Sequence, residues 1–144
     1  MNLGTLGGKG TISGAVTVGT GSGSGANLAP GIKGPDSLAI ANTLTFKADG
    51  TYNCDLSLGR AKADQVTANG VTIESGAQVN LLPKGFQTLP PGMVFTVINN
   101  TSANPISGTF ADLADASIIN ATTGNKLKVS YEGGDGNDLT LTVQ

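Results

Sequence analysis

The 144 residues contain no histidine, no tryptophan and a single cysteine, Cys54. Without imidazole, the usual general base near neutral pH and the commonest nitrogen ligand for metals are missing. One cysteine cannot form an internal disulfide, so stability must come from packing and hydrogen bonding. Charged residues make up only 12% of the chain and aromatic residues 4%, and the formal net charge is -2. With no basic excess to neutralise phosphates, nucleic-acid binding is not expected. No apolar run reaches the roughly 18 residues that would read as a membrane span, so none is expected in this chain. The opening Met1-Asn2-Leu3-Gly4 has neither a basic segment nor an apolar stretch, and no export signal is expected within the chain as it stands. Helix formers are sparse and scattered, which excludes an all-α domain.

What is abundant is small and polar: 22 Gly, 17 Thr, 12 Asn, 10 Ser and 6 Pro. Thr is β-branched and suits a half-wet pleated surface, while Asn and Gly suit tight corners. Apolar residues alternate in short runs bounded by Gly, Asn or Asp, which is the strand pattern. The clearest runs are Val16–Val18, Leu44–Phe46, Tyr52–Leu56, Val71–Ile73 and Val79–Leu81. Phe95–Val97, Leu127–Tyr131 and Leu139–Val143 follow. Between the last two lies Glu132-Gly133-Gly134-Asp135-Gly136-Asn137-Asp138, whose glycines Gly133, Gly134 and Gly136 favour a reversal. The final two runs can therefore close as an antiparallel pair.

Ser24-Gly25-Ala26-Asn27-Leu28, Asp49-Gly50-Thr51-Tyr52-Asn53 and Ser75-Gly76-Ala77-Gln78-Val79 are similar turn-then-strand units, with their glycines 25 and 26 residues apart. A step of that length, with too little apolar area per unit to bury alone, predicts a solenoid of stacked units, a parallel β-helix. A two-layer β-sandwich would show the same alternation, but the repeated step favours the solenoid. One domain is expected over residues 1–144, with a glycine-rich, loose first coil at 1–36, core coils at 37–110 and C-terminal strands at 111–144. Residues 1–10 and 20–36 read as the loosest segments. Phe46, Leu56, Ile73, Leu81, Phe95, Val97 and Phe110 are the expected core.

Several segments, taken in order, carry a resemblance. They are Leu28-Ala29-Pro30-Gly31, Leu44-Thr45-Phe46, Ala63-Asp64-Gln65-Val66, Gly92-Met93-Val94-Phe95-Thr96-Val97-Ile98, Ser107-Gly108-Thr109-Phe110 and Ser130 through Val143. Together they resemble the C-terminal passenger region of bacterial autotransporters and the autotransporter-associated β-strand repeat, over roughly residues 10–144. The resemblance implies an all-β, right-handed parallel β-helix, here about five coils, on the bacterial cell surface or outside the cell. It implies a non-catalytic stalk or folding seed, whose partners are neighbouring coils of a larger passenger chain or other copies meeting through coil ends. Neither the N-terminal signal nor the membrane-embedded barrel of that family is expected within these 144 residues.

Chemistry-bearing residues are few. Gly133 to Asp138 overlaps a calcium-binding nonapeptide, which makes Asp135 and Asp138 the metal candidates. Leu139 follows Asp138 directly, however, and only one copy is present, so a polar reversal explains the segment as well. Asp49, Asp55, Asp64, Asp112 and Asp115 could form a glycosidase pair or a lyase site beside Arg60 and Lys62, yet each also reads as a turn or surface residue. Cys54 alternates with Tyr52 and Leu56 and is expected to point inward as a small apolar filler. Thr20-Gly21-Ser22-Gly23-Ser24-Gly25 resembles a phosphate loop only in glycine content and lacks the Gly-Lys-Ser/Thr ending. Phe86 and Tyr131 could stack on sugars. No catalytic residue, cofactor or resident metal is expected, and the chain is not expected to be an enzyme. The competing expectations are an adhesin-type module binding surface glycans or a host surface and, behind it, a β-helix polysaccharide lyase.

Overall fold

The computed structural model describes residues 2–31 and 33–144; Met1 and Ile32, both within the 1–36 stretch, lie outside the described residues. In chain order the strands are β1 (Gly4–Gly8), β2 (Gly10–Ile12), β3 (Val16–Val18), β4 (Ala26–Pro30), β5 (Ser37–Ile40), β6 (Leu44–Phe46), β7 (Gly50–Ser57) and β8 (Lys62–Ala63). They continue with β9 (Gln65–Ala68), β10 (Val71–Ile73), β11 (Gln78–Lys84), β12 (Val94–Asn100), β13 (Ile118–Asn120), β14 (Lys126–Gly133) and β15 (Asp138–Val143). One 3₁₀ turn, Thr122–Gly124, is the only helical element among the described residues.

The protein is all-β, but the right-handed parallel β-helix of about five coils expected from the sequence is not what is found. The strands form three separate sheets of mixed direction. The first runs β1-β4-β7-β11 with β8 folded back on β7, the second β10-β6-β3, and the third β13-β14-β15-β12-β9-β5-β2. Within the third sheet β12 pairs parallel with β9 on one side and antiparallel with β15 on the other. The physical reason for the correction lies there. The returning chain occupies the flank of β12 that another parallel strand would have needed, and β13, β14 and β15 continue the sheet in antiparallel pairing.

Side-chain alternation decides what each strand buries. In β7, Tyr52, Cys54 and Leu56 are buried while Thr51, Asn53, Asp55 and Ser57 are half-exposed on the other face. Register then aligns apolar residues across strands: Leu28 with Tyr52 and Tyr52 with Val79, Val18 with Phe46 and Phe46 with Ile73, Leu38 with Val66 and Val66 with Ile98. All belong to one hydrophobic cluster, to which β14 adds Leu127, Val129 and Tyr131, and β15 adds Leu139, Leu141 and Val143. At its centre Phe46, Tyr52 and Phe110 meet, with Phe46 and Phe110 edge to face at 5.1 Å. Such aromatic pairs add about 1 kcal/mol beyond the area they bury. Of the expected core, Phe46, Leu56, Ile73, Phe95, Val97 and Phe110 are buried, whereas Leu81 is only half-buried at the rim.

Within the glycine-rich stretch 1–36, β1, β2, β3 and β4 pair in parallel with later strands, and bends and irregular chain lie between them. Glycine serves close approach there. A Cβ on Gly7 would stand 2.8 Å from the Ala29 carbonyl oxygen, closer than any side chain is tolerated.

Candidate functional site

Three kinds of corner join the sheets. The corner from the first sheet to the third holds Lys9, Gly31, residues 33–36, residues 58–64 and residues 85–93. Backbone contacts bring these segments together. Gly31 N–H donates to the Gly8 carbonyl at 2.8 Å, Gln65 N–H to the Asp36 carbonyl at 3.0 Å, and Leu58 N–H to the Lys84 carbonyl at 2.9 Å.

Asp64 pins this corner. Its carboxylate is buried, 2% exposed, and accepts from Asp36 N–H and from Asp55 N–H, each at 2.8 Å. Burial pushes its pKa above the ordinary carboxylate value, and the two backbone donors pull the other way. Beside it Asp55 is half-buried and pairs with Lys84 Nζ at 3.2 Å. Asn80 Nδ2 donates to Asn53 Oδ1 at 2.9 Å across β11 and β7. Asn53, Asp55, Asp64, Asn80 and the exposed Leu82 line a hollow of about 330 Å³ on the outer face of the first sheet. A second hollow of about 320 Å³ beside it is lined by Lys9, Lys33, Pro35, Asp36 and Arg60.

The remaining sequence candidates are scattered. Asp49 sits at another corner, where its carboxylate accepts from the backbone N–H of Thr20 (2.9 Å), Gly21 (2.5 Å) and Gly23 (3.0 Å). The Gly21 donor above all holds its pKa below the usual value. The glycine loop Thr20 to Gly25, which shares only its glycine content with a phosphate loop, thus wraps a carboxylate of this same chain. Asp112 accepts from Val79 N–H at 3.0 Å and Asp115 from Tyr131 N–H at 3.1 Å. Asp138 is buried and accepts from Asn100 N–H at 2.9 Å, its pKa raised by burial, while Asp135 is exposed. No group of three or more His, Cys, Asp or Glu side chains converges to hold a metal ion among the described residues. Cys54 is fully buried as expected, its thiol pKa pushed far up, first by burial and then by the Asp64 charge. Tyr131 is no sugar platform: it is buried, its hydroxyl donates to the Leu113 carbonyl at 2.7 Å, and burial pushes it up to about 12. Phe86, by contrast, is 82% exposed.

Sequence reasoning missed the cationic corner. Lys9, Lys33, Arg60 and Lys84 stand 24, 27 and 24 residues apart, a signal available in the sequence once charge is scanned at the same step as the glycines. Only Arg60 and Lys62 had been singled out, as a local pair. Among known proteins, no family model matches the chain and no curated protein is significantly similar to it. No helix among the described residues is long and apolar enough to cross a membrane.

Proposed function

We propose that this chain is a non-catalytic structural segment of an exported bacterial surface protein, of the autotransporter-passenger kind. The observation that carries the reading is the use made of its carboxylates. Asp49, Asp64, Asp112, Asp115 and Asp138 each accept a backbone N–H from a distant segment, and so tie the chain together. A carboxylate held this way is a fastener; a general acid or base needs an oxygen directed at substrate. The absence of histidine from the sequence points the same way. The role is mechanical and kinetic: a dry all-β interior that forms once the chain is outside the cell disfavours its return, without nucleotide hydrolysis.

The edges support the proposed partners. β1, β2 and β3 each stand at an edge of their sheet, the pattern that accepts a further strand from a longer passenger chain or from another copy. The test is location in the organism that makes the protein. Antibodies against the chain should label intact cells, and protease added outside should remove the label. A chain found only in the cytoplasmic fraction would refute the proposal.

A further inference from the structure

The structure carries a second feature that the structural role does not use. We propose that the corner bearing Lys9, Lys33, Arg60 and Lys84 binds a linear acidic polysaccharide, a polyuronate with one carboxylate on each sugar ring. This goes beyond the export reading and does not depend on it.

Charge distribution is the first argument. The chain is acidic overall, yet with Lys62 this one corner gathers five of its eight basic side chains, all exposed. The corner from the third sheet to the second (residues 13–15, 41–43 and 69–70) carries no charged residue at all. At the remaining corner the lone cation, Lys47, is paired with Glu74 at 2.6 Å. Spacing is the second. Each cation of the row belongs to a successive strand of the first sheet or to the turn after it, and such strands lie about 4.8 Å apart, which makes a row roughly 15 Å long. A linear polyuronate presents its charges as a row of similar pitch.

Local partners sharpen the assignment. Asp36 lies 3.9 Å from Lys9, and Asp55 lies 3.2 Å from Lys84. Lys33 and Arg60, in the middle of the row, have no carboxylate partner among the described residues and share the 320 Å³ hollow. They are the two cations of the row that an incoming carboxylate can pair without displacing an acidic partner. The neighbouring hollow offers the Asn53 and Asn80 amides, groups suited to sugar hydroxyls. Phe86, two residues beyond Lys84, supplies an exposed flat face for a pyranose ring. Among the described residues it is the only exposed aromatic side chain, whereas single-stranded nucleic acid is held on a series of stacking platforms.

The test measures binding of a fluorescent oligogalacturonate of roughly six rings, long enough to span the row. The comparison probes are its methyl-esterified neutral form, an oligothymidylate of equal charge, and anionic phospholipid vesicles. Lys33→Gln with Arg60→Gln removes the central cations; Lys126→Gln with Lys128→Gln removes equal charge from β14. All four positions are exposed, and circular dichroism checks each fold. The expected result is binding that weakens with salt, falls about tenfold or more in the first double variant, and changes less than about twofold in the second. The esterified oligomer should not bind. The proposal is overturned by no binding of the oligogalacturonate, by equal losses in the two variants, or by oligothymidylate or vesicles binding as tightly.

Discussion

Removing the Asp64 carboxylate should destabilise the fold more than any other single loss of a carboxylate. In Asp64→Ala the N–H groups of Asp36 and Asp55 lose their acceptor at a site where the side chain was 2% exposed. An unsatisfied buried donor costs about 1–3 kcal/mol, so two cost about 2–6, less whatever water reaches them. Relief from burying a charge offsets part of this at neutral pH. A domain of this size is stable by only about 5–15 kcal/mol, so the change should be plain in urea denaturation followed by far-UV circular dichroism. The pH dependence supplies a sign. Because the folded-state pKa of Asp64 is raised, the folded chain binds its proton more readily than the unfolded chain does. The contribution of Asp64 is then fully present below the ordinary value of 3.8 and declines as pH rises through the folded value. The destabilisation by Asp64→Ala should therefore be larger near pH 4 than near pH 7. A loss below about 0.5 kcal/mol at both pH values would refute the claim that this carboxylate fastens the corner.

Three further outcomes follow from the core and its turns. Ile73→Asp places an unpaired charge at a position 3% exposed and should cost about 3–5 kcal/mol; an unchanged thermal midpoint would contradict the described core. Gly108 has φ +86°, and a Cβ there would press on the Ile73 carbonyl oxygen, so Gly108→Ala should lower stability by about 2 kcal/mol or more, read as a fall in the urea midpoint. Cys54 should resist a thiol reagent at pH 8 in the native protein and react once urea exposes it, since burial disfavours its thiolate; rapid native labelling would count against the packing.

The strands legible in the sequence are those that place two or more large apolar residues at alternate positions, such as β6, β7, β10, β12, β14 and β15. β1 was not legible, because Gly-Thr-Leu-Gly-Gly carries a single large apolar residue and is a strand through its pairing with β4. Strand direction was legible at the Gly133–Gly136 reversal, where β14 and β15 do pair antiparallel, but not on β12: period-two alternation is the same in parallel and antiparallel ladders, and the antiparallel return of β15 on β12 depends on contacts made far along the chain. The glycine step was a coarse guide to register. Ala26 pairs with Gly50 and Thr51 with Gln78, so Gly50 stands one residue beyond the positions that match Gly25 and Gly76. Among candidate site residues, the inward Cys54 was legible from local alternation. The carboxylates of Asp49 and Asp64 were not, since their donors lie up to 29 residues away and only the fold brings them together.

That distance also explains how a chain with 12% charged residues uses them. Corners between short strands leave backbone N–H groups that no ladder can satisfy, and each must find an acceptor if it is shielded from water. An aspartate can serve from a neighbouring segment, so one side chain closes several turns, as Asp49 does for Thr20, Gly21 and Gly23. Lysine and arginine offer no acceptor for such groups. They are left to the surface, and in the row along the first sheet's corner two of the four, Lys33 and Arg60, have no carboxylate partner among the described residues. The acidic side chains thus belong chiefly to the fold, and Lys33 and Arg60 are the cations of this row left over for a partner.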